Sequence, residues 1–244
     1  MELITKIKEF REKVGMKQSE LAELVNVRWE TIVSIKIKAR EIKLYQERKK
    51  MIKVVAFDLV GVLVNEKDIK LSEVEEKLEK MFGPNLNDLD YLIEARKIIK
   101  KDSEIMNITY TLIDKLYKVK NKEIFKKIKE IDEDVKVIIA TNHLSFIRSY
   151  IRKSFNVDYL DDVIISAEIH KIKPNSDFYE YILNKYNITP NELLFLDDNF
   201  DNLSKAKQLG INAIKVTKDT NLFTMISKLI KKKKDVLWKK ERLL

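Results

Sequence analysis

VVAFDLVGVLV, residues 54–64, is an apolar run interrupted by a single carboxylate, Asp58. The four apolar residues ahead of that acid predict a short strand buried on both faces, the kind found inside parallel sheets. Two residues beyond Asp58 stands Val60. Any active site that begins here therefore starts with one acid instead of two.

Outward from this run the sequence repeats its texture. KVVAF (53–57), KVIIA (136–140), DVII (162–165), LLFLD (193–197) and AIKV (213–216) are β-rich runs separated by helical segments. Alternation of this kind predicts an α/β domain: a Rossmann-like parallel sheet of about five strands with helices on both faces. The first gap is too long for one crossover. Residues 65–131 hold charged helical stretches near 72–82, 87–101, 104–118 and 121–131, with Gly83-Pro84 breaking the first two apart. One helix serves the crossover, so the rest predict a helical cap inserted after the first strand, about 65–120. The expected organisation is a helical segment and linker over 1–50, the α/β domain over 51–230, and a basic tail over 231–244.

Four strands end on residues suited to phosphate or metal chemistry: Asp58, Thr141-Asn142, Lys173 just past the third strand, and Asp197-Asp198. The carboxyl ends of parallel strands are where such sheets place ligands. One of these alone is a cap or a turn residue; four in order form a constellation.

On these residues the chain resembles the haloacid dehalogenase superfamily, over roughly residues 52–220. AFDLVGVLV looks like its first motif, VIIATN the second, AEIHKIKPNSDFY the third and LLFLDDNFDNLSKAKQLGINAIKV the fourth. The resemblance implies Asp58 as nucleophile and Mg²⁺ as cofactor. It implies metal binding by Asp58, the Val60 carbonyl, Asp197 and Asp198, and phosphate binding by Thr141, Asn142 and Lys173. The chemistry is coherent: an ionised carboxylate needs no base to attack phosphorus, and the acyl phosphate formed is labile. A divalent cation and a lysine supply the countercharge that two approaching anions require.

Val60 departs from the family pattern, in which a second Asp protonates the leaving group and later activates water. The valine keeps the backbone carbonyl and loses the acid, a loss of about 10²–10⁴-fold in general acid–base help. Three readings follow: a phosphatase for substrates that need little protonation or that borrow a proton from a cap acid such as Glu66 or Asp68; a binder of phosphorylated compounds; or a dehalogenase. The Asp197-Asp198 pair, which dehalogenation does not use, disfavours the last. His143 is expected to be a satisfied loop residue, and His170 carries no functional signal.

QSELAELVNVRWETIVSIK, residues 18–36, has two amphipathic stretches joined at Asn26. With the preceding helical run it resembles a truncated helix-turn-helix of phage-repressor type over residues 3–36. By that resemblance Gln18 would reach phosphate, and Arg28, Trp29, Glu30, Val33 and Ser34 would face the major groove of DNA. Lys36 stands where the family usually has Glu, and the later helices of that fold are missing, so a packing hairpin is the competing expectation.

Charge agrees with this division. Of the net +9, residues 1–50 contribute +5 and residues 231–244 another +5, leaving −1 on the central domain. Such basic ends suit nucleic acid or plain solubility. The chain has no cysteine, which excludes disulfides and thiolate metal sites. Its charged amino terminus does not read as a signal peptide, so a cytoplasmic location is expected. The competing function is a DNA-binding regulator whose altered hydrolase domain senses a phosphorylated ligand.

Overall fold

Strand residues alternate between two faces, and here both faces are apolar. In the computed structural model, which describes residues 51–83 and 86–230 together with positions 12, 15, 17, 19 and 20, this alternation builds a three-layer domain. The chain divides into two compact units, Met1–Lys50 and Met51–Leu244. Gln18, Arg28, Trp29, Glu30, Val33 and Ser34 lie outside the described residues, as does the basic tail.

The main sheet holds β1 (Val54–Phe57), β4 (Lys136–Thr141), β5 (Asp162–Ile165), β6 (Leu193–Asp197) and β7 (Asn212–Lys215). Its order is β5-β4-β1-β6-β7, and every pairing is parallel. Strand β1 is central, and the order reverses about it, which opens a crevice at its carboxyl end. Val55 and Phe57 face one core with Val137, Ile139, Leu194 and Leu196. Val54 and Ala56 face the other with Ile138, Ala140, Leu193 and Phe195.

The first core is covered by α4 (Ile124–Ile131), α5 (Ile147–Ser154) and α9 (Leu222–Ile230) through Phe125, Ile151 and Ile226. The second is covered by α7 (Ser176–Tyr186) and α8 (Phe200–Gln208) through Phe178, Tyr179, Leu203 and Ala206. A four-residue helix, α6 (Ser166–Ile169), follows β5. No helix among the described residues is long and apolar enough to cross a membrane.

Between β1 and β4 lies a helical insertion on a two-stranded base. Strands β2 (Val64–Glu66) and β3 (Tyr117–Val119) pair antiparallel and carry α1 (Glu73–Glu79), α2 (Asp88–Ala95) and α3 (Asp102–Leu116) between them. The ribbon shortens the third helical stretch expected from sequence: Tyr117 and Lys118 pair with Glu66 and Asn65 instead of continuing the helix. The fourth stretch is the crossover α4 and belongs to the core domain. Cap and core meet along an aromatic seam in which Phe82 and Tyr117 pack on His143, and Tyr91 and Tyr110 on Phe146. The Ser145 amide also donates to Asp88 at the start of α2 (2.9 Å).

Candidate active site

Asp58 leaves the end of β1 with its backbone N–H donating to the Leu196 carbonyl of β6 (2.8 Å), so the crevice at the centre of the sheet opens at its side chain. Asp197 closes β6 and is fully buried. Lys173, on the segment between α6 and α7, reaches both: its ammonium lies 2.9 Å from Asp58 Oδ1 and 2.8 Å from Asp197 Oδ2. Asp58, Asp197 and Asp198 each offer an oxygen within 4.8 Å of the others. The three carboxylates against one ammonium leave a formal charge of −2, the deficit one divalent cation neutralises.

The three acids differ in what already holds them. Asp197 is saturated. Its oxygens accept from Lys173, from the Asn199 amide (2.8 Å) and from Asn202 Nδ2 on both sides (3.1 and 3.2 Å). Among the described residues Asp198 has no comparable set of partners, and it sits against the turn that follows β1. That turn is tight: Leu63 and Val64 amides donate to the Leu59 carbonyl, and the Gly61 amide to that of Val64. Gly61 takes φ +80°, and a Cβ there would stand 2.1 Å from Asp198 Oδ2. Only glycine fits. The Val60 side chain packs against the core, and its carbonyl takes part in none of the turn's hydrogen bonds.

Burial pushes the Asp58 carboxyl up to about 6, with Lys173 opposing and Asp197 adding to the rise. Burial and then Asp197 also raise Asp198. Burial disfavours the Lys173 ammonium, but Asp58 and Asp197 outweigh it and hold its pKa above the ordinary value. These directions describe a negative site that gains from a further cation.

Thr141 ends β4, the strand paired with β1, and is buried. Asn142 has its carboxamide committed: Oδ1 accepts from the Lys173 amide (2.9 Å) and Nδ2 donates to the Lys173 carbonyl (2.8 Å). That side chain fixes the backbone from which the lysine projects. Glu66 and Asp68 are exposed on the strand and connection that lead to the cap. His143 is buried, with Nε2 against the Tyr117 hydroxyl (3.2 Å) and Nδ1 against the Leu144 carbonyl (3.2 Å), so both ring nitrogens are satisfied. His170 caps α6 in the left-handed conformation, exposed.

Sequence reasoning missed Gly61, Asn202 and Lys120, whose ammonium donates to the Gly61 carbonyl. Gly61 had a signal: it is one of only four glycines in the chain and interrupts an apolar run, a mark of close backbone approach. Asn202 and Lys120 had none, because each acts on a partner known only from the fold.

Residues 55–216 match the family model described as haloacid dehalogenase-like hydrolase. A predicted HAD-like family hydrolase from Porphyromonas gingivalis superposes with a TM-score of 0.58 at 20% identity, covering 74% of this chain and 98% of that one. A HAD family enzyme from Bacteroides thetaiotaomicron, solved with magnesium and inorganic phosphate, gives 0.56 at 18% identity, covering 71% and 98%. Both likenesses establish the fold. Rat bifunctional epoxide hydrolase 2 is 36% identical over 58 residues, 24% of this chain and 10% of that protein, so the match spans about a tenth of that relative's length. With the family match spanning about two thirds of its length, the chain belongs to the haloacid dehalogenase-like hydrolases.

Proposed function

We propose that the chain is a Mg²⁺-dependent phosphatase acting on a small phosphorylated compound through an aspartyl-phosphate on Asp58. The observation that carries this is the meeting of Asp58, Lys173, Asp197 and Asp198 at one rim of the sheet with a deficit of two positive charges. Asp58, Asp198 and the Val60 carbonyl would hold Mg²⁺, with Asp197 contributing charge at its side. Bound there, the ion supplies the countercharge that lets a carboxylate approach a phosphate. The magnesium and phosphate of the Bacteroides relative accord with this reading.

In the first step an Asp58 oxygen bonds to phosphorus, and the bond from phosphorus to the leaving oxygen breaks. Lys173, held against Asp58, offsets charge spreading over the phosphoryl oxygens. The Thr141 hydroxyl and nearby backbone amides would donate to those oxygens, and Asn142 keeps Lys173 in place. Val60 gives no proton to the leaving oxygen, so it takes one from water, and groups that leave as stable anions are preferred. Water then attacks the acyl phosphate, releasing phosphate and restoring Asp58. The cap over the crevice selects the substrate.

The test is phosphate release from p-nitrophenyl phosphate with Mg²⁺ or with a chelator. Release that requires Mg²⁺ and disappears in Asp58→Asn supports the assignment; equal release by Asp58→Asn rejects it.

A further inference from the structure

The β2–β3 ribbon and the loop after β7 enclose a second cavity, of about 450 Å³. Lys118, Lys120 and Lys218 line it with Asn65, Asn121 and Thr220, and none of its lining residues is a carboxylate. Lys118 and Lys218 make no ion pair among the described residues. Lys120 joins the cavity to the reaction centre, because its ammonium donates to the Gly61 carbonyl and Gly61 abuts Asp198. Burial holds the Lys120 ammonium below its ordinary pKa; Asp198 opposes that, and the charge on Lys218 adds to it.

Like charges gathered round a partly enclosed space repel one another, and an anion between them converts the repulsion into attraction. The start of α9 reinforces the sign. Leu222 and Phe223 form part of the wall, and Asn221 caps the helix by accepting from the Thr224 amide (3.0 Å). Another basic cavity, between cap and core, differs: the Glu168 carboxylate is in its wall, and of its three cations Arg148 is bound to Glu168 and Lys153 to Asp114.

We infer that the cavity lined by Lys118, Lys120 and Lys218 is an anion site for a phosphate or carboxylate group, brought in by a substrate that carries a second anionic group besides the phosphoryl group it loses. The substrate-class part of this rests on the phosphatase reading of the Asp58 site. The ammonium and amide donors suit oxyanions, and the junction through Lys120 and Gly61 sets the cavity beside the metal-binding turn.

The experiment compares the full chain with its Lys118→Gln/Lys218→Gln double variant, both with Mg²⁺. The substrates are p-nitrophenyl phosphate, which has a single anionic group, and a hexose bisphosphate. The expected result is a KM for the bisphosphate raised at least about tenfold, with kcat/KM for p-nitrophenyl phosphate held within about twofold. A free anion as the natural occupant gives a different support: sulfate then alters p-nitrophenyl phosphate turnover in the unchanged chain and not in the double variant. Equal kinetics on both substrates, with sulfate acting alike on both proteins, overturns the site. Absence of turnover in either protein defeats only the phosphatase reading. Calorimetric titration with the bisphosphate then decides: binding weakened at least about tenfold in the double variant upholds the anion site, and equal binding overturns it.

Discussion

At position 60 a branched, half-buried apolar side chain packs against the core, while the backbone around it keeps a tight turn. Restoring the acid with Val60→Asp is expected to raise turnover of alkyl phosphomonoesters at least about tenfold, and that of p-nitrophenyl phosphate less, since its leaving group needs little protonation. Initial rates on the two substrates check this, and no gain on either means the missing acid is not limiting. Gly61→Ala tests the neighbouring position. The added methyl collides with Asp198, and the left-handed backbone disfavours any side chain by about 1–2 kcal/mol. Half-saturation of turnover by Mg²⁺ is expected to move up about tenfold or more, with a lower urea midpoint; an unchanged Mg²⁺ dependence would remove Asp198 from the metal site. Asp58, Lys173 and the Asp197-Asp198 pair were legible in sequence because each closes, or closely follows, a strand with a plain β pattern. Gly61, Asn202 and Lys120 depend on approaches between segments, which no local pattern records.

Among elements, the strands and the crossover helices follow from residue pattern, and the cap follows from loop length. The β2–β3 ribbon does not. Each of its strands spans three residues, and β3 continues an apparent helix, so pairing across 64–66 and 117–119 overrides local preference. The cap's seam onto the core explains His143, whose burial lowers its pKa from the ordinary 6.5 to about 4, partly opposed by the Leu144 carbonyl and Asp88. The unfolded chain takes this proton first as pH falls. Stability is therefore lost below about 6.5, and the loss levels off below about 4. In His143→Gln this acid dependence is expected to be shallower by up to about 1.4 kcal/mol per pH unit. Urea unfolding at pH 7, 6 and 5 measures it; equal losses in both proteins would mean that His143 does not titrate as a buried neutral ring.

On the scale of the whole molecule, charge and topology act together. The sheet order brings the ends of β1 and β6 and the lysine segment to one crevice, concentrating negative charge in a domain that carries only −1 of the chain's +9. A parallel sheet with an inserted cap was readable from the alternation of runs. The substrate was not, because residue pattern does not place α1 to α3 relative to the crevice. On the proposed mechanism the lack of an acid at position 60 bears on both half-reactions, since the same group would activate water in the second. The phosphorylated enzyme should therefore persist. The direct measurement is acid quenching during turnover of p-nitrophenyl phosphate, followed by mass spectrometry of the intact chain and its peptides. The account predicts one added phosphoryl group on Asp58, formed with Mg²⁺ and absent with a chelator. A phosphoryl group on another residue, or an adduct of equal yield in Asp58→Asn, would contradict it.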